Sequence, residues 1–194
     1  MPVDAAIRFS LATVDKAALR ERIRSDGPVD ADSSQAVAEG VYAWMAPQLP
    51  GTVTAFLAMP GEVDVKALFT RLPGWRWVLP RVEPDRSMTF RDREAPREIH
   101  RFGMEQPADT GPVIPIPEID VFLTPGLAFD VRGGRLGNGG GFYDRALAAR
   151  RADSAAVGIT VGRRVVDAVP MEAHDQWVDW LATESGVIRC SPSR

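Results

Sequence analysis

The chain has 194 residues, 45% of them hydrophobic and 25% charged, with a net charge of −3. These are the values of an ordinary globular domain with a real core; they exclude wholesale disorder and give no general basic footprint for a nucleic acid. A single cysteine, Cys190, rules out an internal disulfide and a cysteine-built zinc site, and no apolar run approaches the length of a membrane span.

In chain order, the N-terminal octapeptide Met1-Pro-Val-Asp-Ala-Ala-Ile-Arg8 lacks a basic start followed by an apolar core, so no secretory signal is expected and a cytoplasmic protein is. Asp15 reads as the N-cap of a short basic helix from Lys16 to about Ser25. Ser33 or Ser34 is expected to cap a second helix, in which Val37, Val41, Trp44 and Met45 recur at helical spacing. Residues 52–58 are β-branched and apolar and read as a buried strand, 64–72 as a helix, and 75–82 as another strand. Residues 83–118 are polar and dotted with Pro107, Pro112, Pro115 and Pro117; a long excursion is expected there, with a small β element over 88–91. Residues 119–124 read as a strand leading into a glycine-rich loop, 142–151 as the helix after it, and 155–160 and 177–183 as further strands. Strands alternating with helices imply a single α/β domain over residues 1–194. Its sheet would be mostly parallel and covered on both faces, with ligands at the carboxyl ends of the strands.

The glycine-rich loop carries the sharpest chemical signal. Gly137, Gly139, Gly140 and Gly141 can wrap a phosphate chain with bare N–H groups, and the helix beginning near Phe142 would aim its positive end at the same spot. The pattern is not a Walker A loop, because no Gly-Lys-Ser/Thr follows. It also misses the dinucleotide fingerprint, because Phe142 stands where the last glycine would be. Asp144, one turn into the helix, can hold a metal beside the phosphates. Lys16 and Arg20 lie four apart on one helix face; they are either a solvated charged face or a clamp for phosphate oxygens. Glu62 follows Met59-Pro-Gly at a strand end and is either a solvated loop acid or an acceptor for a ring with neighbouring N–H donors. Only His100 and His174 are present, too few for a histidine–aspartate phosphohydrolase. Asp175 remains available as a second oxygen ligand for a hard cation, while His174 reads equally well as a structural histidine. There is no Gly-x-Ser-x-Gly elbow.

These residues together resemble the 5-formyltetrahydrofolate cyclo-ligase (methenyltetrahydrofolate synthetase) family over nearly the whole length. Pro125-Gly-Leu-Ala-Phe-Asp130 and Arg135-Leu-Gly-Asn-Gly-Gly-Gly-Phe-Tyr-Asp-Arg145 follow its hallmark. Lys16 and Arg20, Leu57-Ala-Met-Pro-Gly-Glu62, Leu79-Pro-Arg81, Phe102-Gly-Met-Glu-Gln-Pro107, and the block from Val169-Pro to Asp175 with Val178-Asp179 and Thr183-Glu184 match its other segments. The resemblance implies a three-layer, Rossmann-like α/β fold of the NagB/RpiA/CoA transferase-like group. It also implies a monomer that binds a reduced folate and neither nucleic acid nor membrane. ATP would be bound by Lys16, Arg20, Arg135, Leu136, Gly137, Asn138, Gly139, Gly140, Gly141, Phe142 and Tyr143. The folate would meet Leu57, Glu62 and the stretch from Asn138 to Phe142, and Asp144 and Asp175 would hold Mg2+. The implied reaction turns 5-formyltetrahydrofolate into 5,10-methenyltetrahydrofolate with release of ADP and phosphate. Two residues depart from the pattern: Phe142 replaces the commoner first tyrosine, and Arg164 sits where many members carry glutamine. Two other readings stay open, a non-catalytic nucleotide- or folate-binding relative and a sugar-phosphate isomerase or deacylase on a related fold.

Overall fold

A computed structural model describes residues 15–101 and 103–191. The octapeptide at the N-terminus and Phe102 of the Phe102–Pro107 segment therefore lie outside the described residues. Helix α1 (Lys16–Ser25) starts where expected, with the Asp15 carboxylate accepting the Ala17 N–H at 3.1 Å. Leu19 and Ile23 are its buried residues, and three- and four-residue spacing puts them on the same face as Lys16 and Arg20. Helix α2 (Ala31–Met45) begins earlier than its serines suggested. Asp30 is the cap: one carboxylate oxygen accepts the Ser33 N–H at 2.7 Å and the other the Ser33 hydroxyl at 2.9 Å. A carboxylate with two acceptor oxygens takes both donors, where a serine could take one. Ser34 instead accepts the Asp64 N–H at 3.2 Å and ties the helix to the next loop.

The strands are β1 (Thr52–Thr54), β2 (Arg76–Val82), β3 (Met88–Asp92), β4 (Arg97–Ile99), β5 (Glu105–Pro107) and β6 (Val113–Ile114) in the first half. The second half holds β7 (Val121–Pro125), β8 (Ala128–Phe129), β9 (Arg135–Leu136), β10 (Ala155–Ile159), β11 (Trp180–Thr183) and β12 (Gly186–Arg189). Two short helices, α3 (Ala67–Arg71) and α4 (Phe142–Ala148), complete the set. The main sheet runs β12-β11-β10-β7-β1-β2-β3-β6. Its five central strands, β11 to β2, are mutually parallel, and β12, β3 and β6 add antiparallel edges. This is the mostly parallel α/β sheet expected.

Alternation along the central strands feeds two cores. Val53, Trp77, Leu79, Val121, Leu123, Val157, Ile159 and Ala182 face α2 and α3. Val78, Phe122, Ala156 and Leu181 face Ala146 and Leu147 of α4. A third cluster joins Leu19 and Ile23 of α1 to Ala128, Leu136 and Val169, so α1 rides on the small β8–β9 hairpin.

The excursion at 83–118 is more ordered than its prolines suggested. It holds β3 to β6, and β3 and β6 widen the main sheet. The β4–β5 hairpin is held down by buried Arg81, whose guanidinium donates to Pro107 O at 2.7 Å and to Glu83 and Glu98 at 3.1 and 2.5 Å. Proline is tolerated here because these are short edge strands, Pro107 closing β5 and Pro115 following β6. Other bounds are tighter than expected: strand pairing stops at Thr54, α3 starts at Ala67, α4 stops at Ala148 and β11 starts at Trp180. Among the described residues no helix is long and apolar enough to cross a membrane.

Candidate functional site

At the carboxyl ends of β1, β2 and β7 lies a cleft of about 780 Å³. One wall is made by α1, the glycine loop and the 172–175 turn; the other by Leu57, Met59, Glu62, Pro80, Met88, Met104 and Gln106. Every residue singled out from the sequence for ATP, folate or metal lines this one cleft: Lys16, Arg20, Leu57, Glu62, Arg135 through Tyr143, Asp144 and Asp175. Four chain segments, spread over the 159 residues from Lys16 to Asp175, are thus brought together.

The segment between β7 and α4 holds more than the glycine-rich loop read from the sequence. A hairpin intervenes, and buried Asp130 organises it. Its carboxylate accepts the N–H groups of Arg132 at 2.9 Å, Gly134 at 3.1 Å and Val169 at 2.8 Å, and the Arg132 guanidinium at 3.0 Å. Burial alone would push this carboxyl up; the Val169 N–H, the Arg132 side chain and the other donors hold it below the usual carboxylate range. The hairpin aims Arg135 back across the cleft floor, where it pairs with Asp144 at 2.8 Å.

The glycine loop follows. Among the described residues, the N–H groups of Asn138, Gly139, Gly140 and Gly141 donate to no protein acceptor. Gly139 and Gly141 have φ of 99° and 64°, a left-handed backbone that a side chain would strain. Gly140 has no such conformation; a Cβ there would sit 2.6 Å from the Phe142 ring, which would have to turn aside. The Arg20 Nε donates to Gly137 O at 2.9 Å, which fixes α1 against the loop. Helix α4 has only seven residues, so its dipole is weaker than expected and the open loop amides are the main anion-facing feature. The Tyr143 hydroxyl is buried without a hydrogen-bond partner among the described residues, and burial pushes its pKa up.

The two candidate metal acids sit on neighbouring segments, for the Gln176 N–H donates to Asp144 Oδ1 at 3.3 Å. Asp175 Oδ2 accepts Lys16 Nζ at 2.5 Å and the Glu172 N–H at 2.6 Å. Burial raises the Asp175 pKa, but Lys16 and the Glu172 N–H outweigh it and leave the carboxyl below its usual range. The same pairing, with Glu172 at 3.1 Å, holds Lys16 above its ordinary value against its own burial. Asp144 Oδ2 and Asp175 Oδ1 are left outside these hydrogen bonds. No group of three or more His, Cys, Asp or Glu forms a cage among the described residues. The donor set therefore fits a hard cation that takes one or two carboxylates and completes its shell with phosphate and water. His174 is exposed and lines the cleft, 3.7 Å from Asp175 and from Glu172.

On the opposite wall, the Glu62 carboxylate accepts the Met59 N–H at 3.0 Å. Burial pushes Glu62 above the usual carboxylate range, with the Met59 N–H and Arg164 pulling the other way. Sequence reasoning missed Glu172 and the thioethers of Met59, Met88 and Met104. Glu172 was legible as an acid three residues before Asp175; the methionines come from three separate segments and share no spacing.

The family model described as the 5-formyltetrahydrofolate cyclo-ligase family matches residues 2–184. A curated 5-formyltetrahydrofolate cyclo-ligase of Escherichia coli K12 is 34% identical over 144 residues, 70% of this chain and 79% of that protein. The solved 5,10-methenyltetrahydrofolate synthetase of Aquifex aeolicus superposes with a TM-score of 0.78 at 28% identity, covering 92% of this chain and 94% of that one. The synthetase of Mycoplasma pneumoniae, at 24% identity and TM-score 0.73 over 88% and 99%, shares the fold. Fold, hallmark loop and relatives agree, and the chain belongs to the 5-formyltetrahydrofolate cyclo-ligase family.

Proposed function

We propose that this cleft seats ATP and magnesium beside 5-formyltetrahydrofolate and closes the folate to its 5,10-methenyl form, releasing ADP and phosphate. The conversion is that of the family to which the chain belongs. The observation that carries the ATP assignment is the run of amides from Asn138 to Gly141 that find no acceptor among the described residues, lining one cleft together with Lys16, Arg20 and Arg135.

An N-formyl group is a poor electrophile because its nitrogen lone pair is delocalised into the carbonyl. Transfer of the γ-phosphoryl to the formyl oxygen turns that oxygen into a leaving group; the neighbouring folate nitrogen attacks the carbon and gives up its proton, and the C–O bond breaks with loss of phosphate. Little covalent work falls to the protein, and positioning and charge neutralisation dominate such transfers. The open amides from Asn138 to Gly141 act as fixed donors to the phosphates, with Leu136, Phe142 and Tyr143 closing the nucleotide side. Lys16, Arg20 and Arg135 spread the negative charge. Leu57 and Glu62 hold the pterin, Glu62 accepting from its ring N–H groups. Asp144 and Asp175 would hold magnesium, which supplies charge neutralisation at the phosphate oxygens when bound. For the acids to do so, Lys16 and Arg135 turn from carboxylate to phosphate as the nucleotide enters. The chain works as one domain over residues 1–194, as a monomer in the cytoplasm.

Formation of the methenyl chromophore, followed by absorbance with and without ATP and magnesium, tests this reading. Product should appear only when both are present, with one ADP per methenyl group. Turnover without ATP would point to an isomerase or deacylase, and folate binding without product to a non-catalytic relative.

A further inference from the structure

Arg164 has no part in the site as read from the sequence, yet it touches a segment leading to each wall. It closes a single helical turn (Gly162–Arg164) that directly follows β10, a strand paired on both edges inside the sheet. The turn is fixed by the Glu184 carboxylate, which accepts the Gly162 N–H at 2.6 Å. From this anchor the side chain, 5% exposed, sends its two terminal nitrogens in different directions. One donates to Gly61 O at 2.6 Å, the other to Gly27 O at 2.9 Å. Gly61 immediately precedes Glu62, on the folate wall. Gly27 follows α1, the helix that carries Lys16 and Arg20 on the phosphate wall. Both glycines take left-handed φ, 91° and 80°, a backbone that a side chain would strain. The Arg164 Nε has no partner among the described residues, and the charge acts on Glu62. Neighbouring Arg163, exposed, donates to Pro28 O at 2.7 Å.

A buried arginine that only filled space would leave two carbonyl partners on unrelated segments unexplained. A planar fork with two donor nitrogens at a fixed spacing holds two acceptors at a set separation, whereas lysine and glutamine offer their donors from a single nitrogen. We infer that Arg164 is a positioning residue that clasps the Glu62 loop to the end of α1, so that order gained at the phosphate wall is passed to the folate wall. Nucleotide binding draws Lys16 and Arg20 onto the phosphates and settles α1. Through Gly27, Arg164 and Gly61 the same movement settles Glu62. The inference rests on the proposed assignment of the two walls to nucleotide and folate.

The test is the affinity for 5-formyltetrahydrofolate measured by titration calorimetry, with and without a non-hydrolysable ATP analogue and magnesium. In the unaltered chain the analogue should tighten folate binding by about 5-fold or more, within the usual range of coupling between sites. In Arg164→Met that ratio should fall to within about 2-fold of unity while the analogue alone binds almost as before; Arg164→Lys, which keeps the charge but reaches one carbonyl, should fall between. Arg163→Met should keep the coupling. Should Arg164→Met fail to fold, Arg164→Lys carries the comparison. Full coupling in the Arg164 variants, or equal loss in Arg163→Met, would overturn the clasp and leave the site assignment standing. Absence of folate binding to the unaltered chain would sink both.

Discussion

Two stretches of the same loop use their polar groups in opposite ways. At the β8–β9 hairpin the backbone N–H groups of Arg132 and Gly134, the Val169 N–H and the Arg132 guanidinium converge on Asp130, which is wholly buried. Four residues after Gly134 the backbone does the reverse, and the amides from Asn138 to Gly141 find no protein acceptor among the described residues. A buried donor left unpaired destabilises a fold, but Asn138 and Gly139 are exposed and Gly140 and Gly141 half-buried, so these open amides are no burden to the fold and are available to a ligand. The aspartates divide likewise. Asp130 has its acceptors filled by its own neighbours, whereas Asp144 and Asp175 each hold one cation and keep an oxygen uncommitted.

The largest expected effect separates the two roles through stability. Asp130→Ala strands three N–H groups and should lower unfolding free energy by about 3 kcal/mol or more in a denaturant titration. A loss under about 1 kcal/mol would remove Asp130 as the hairpin's organiser. Asp144→Asn should do the opposite. The amide oxygen still accepts from Arg135, so the melting temperature should move little, while turnover falls by about 100-fold or more. Alanine is the poorer probe here, because it would leave Arg135, 4% exposed, without its carboxylate. Near-normal turnover of Asp144→Asn at ordinary magnesium would place that acid on the structural side of the comparison.

The smallest effect concerns Glu62. Its folded-state pKa is raised by burial, so its contribution to stability is present below the unfolded pKa and is lost as pH rises through the folded one. Glu62→Gln should therefore keep or raise the melting temperature at neutral pH. Folate KM should rise about 10-fold, the loss of a hydrogen bond to a charged acceptor. In the unaltered protein folate affinity should weaken as pH falls through that raised pKa, and the variant should lack this dependence. A parallel pH profile in both would remove Glu62 from the folate contacts.

Much of this was legible in the sequence because its signals are local. Asp15 with an apolar pair at Leu19 and Ile23 spells a capped helix, and a β-branched run at 52–54 spells a strand. The glycine loop and its acids could be read from residue type alone. What stayed hidden depends on contacts between distant segments. Two-residue strands such as Ala128–Phe129 and Arg135–Leu136 are too short to show a period, and they exist because Asp130 and α1 hold them. The proline-dotted segment at 83–118 conceals strands that lean on buried Arg81. Arg164 was visible as a departure from a pattern, but its purpose lies in two carbonyls more than a hundred residues away. The pairing of Lys16 with Asp175, across 159 residues, was likewise beyond reach.

The most direct measurement is a crystal structure of the complex with magnesium, a non-hydrolysable ATP analogue and 5-formyltetrahydrofolate. Phosphate oxygens should lie within hydrogen-bond distance of the amides from Asn138 to Gly141. Asp144 and Asp175 should sit on the metal, and the pterin against Leu57 and Glu62. Both ligands bound elsewhere, with those amides facing only solvent, would contradict the account.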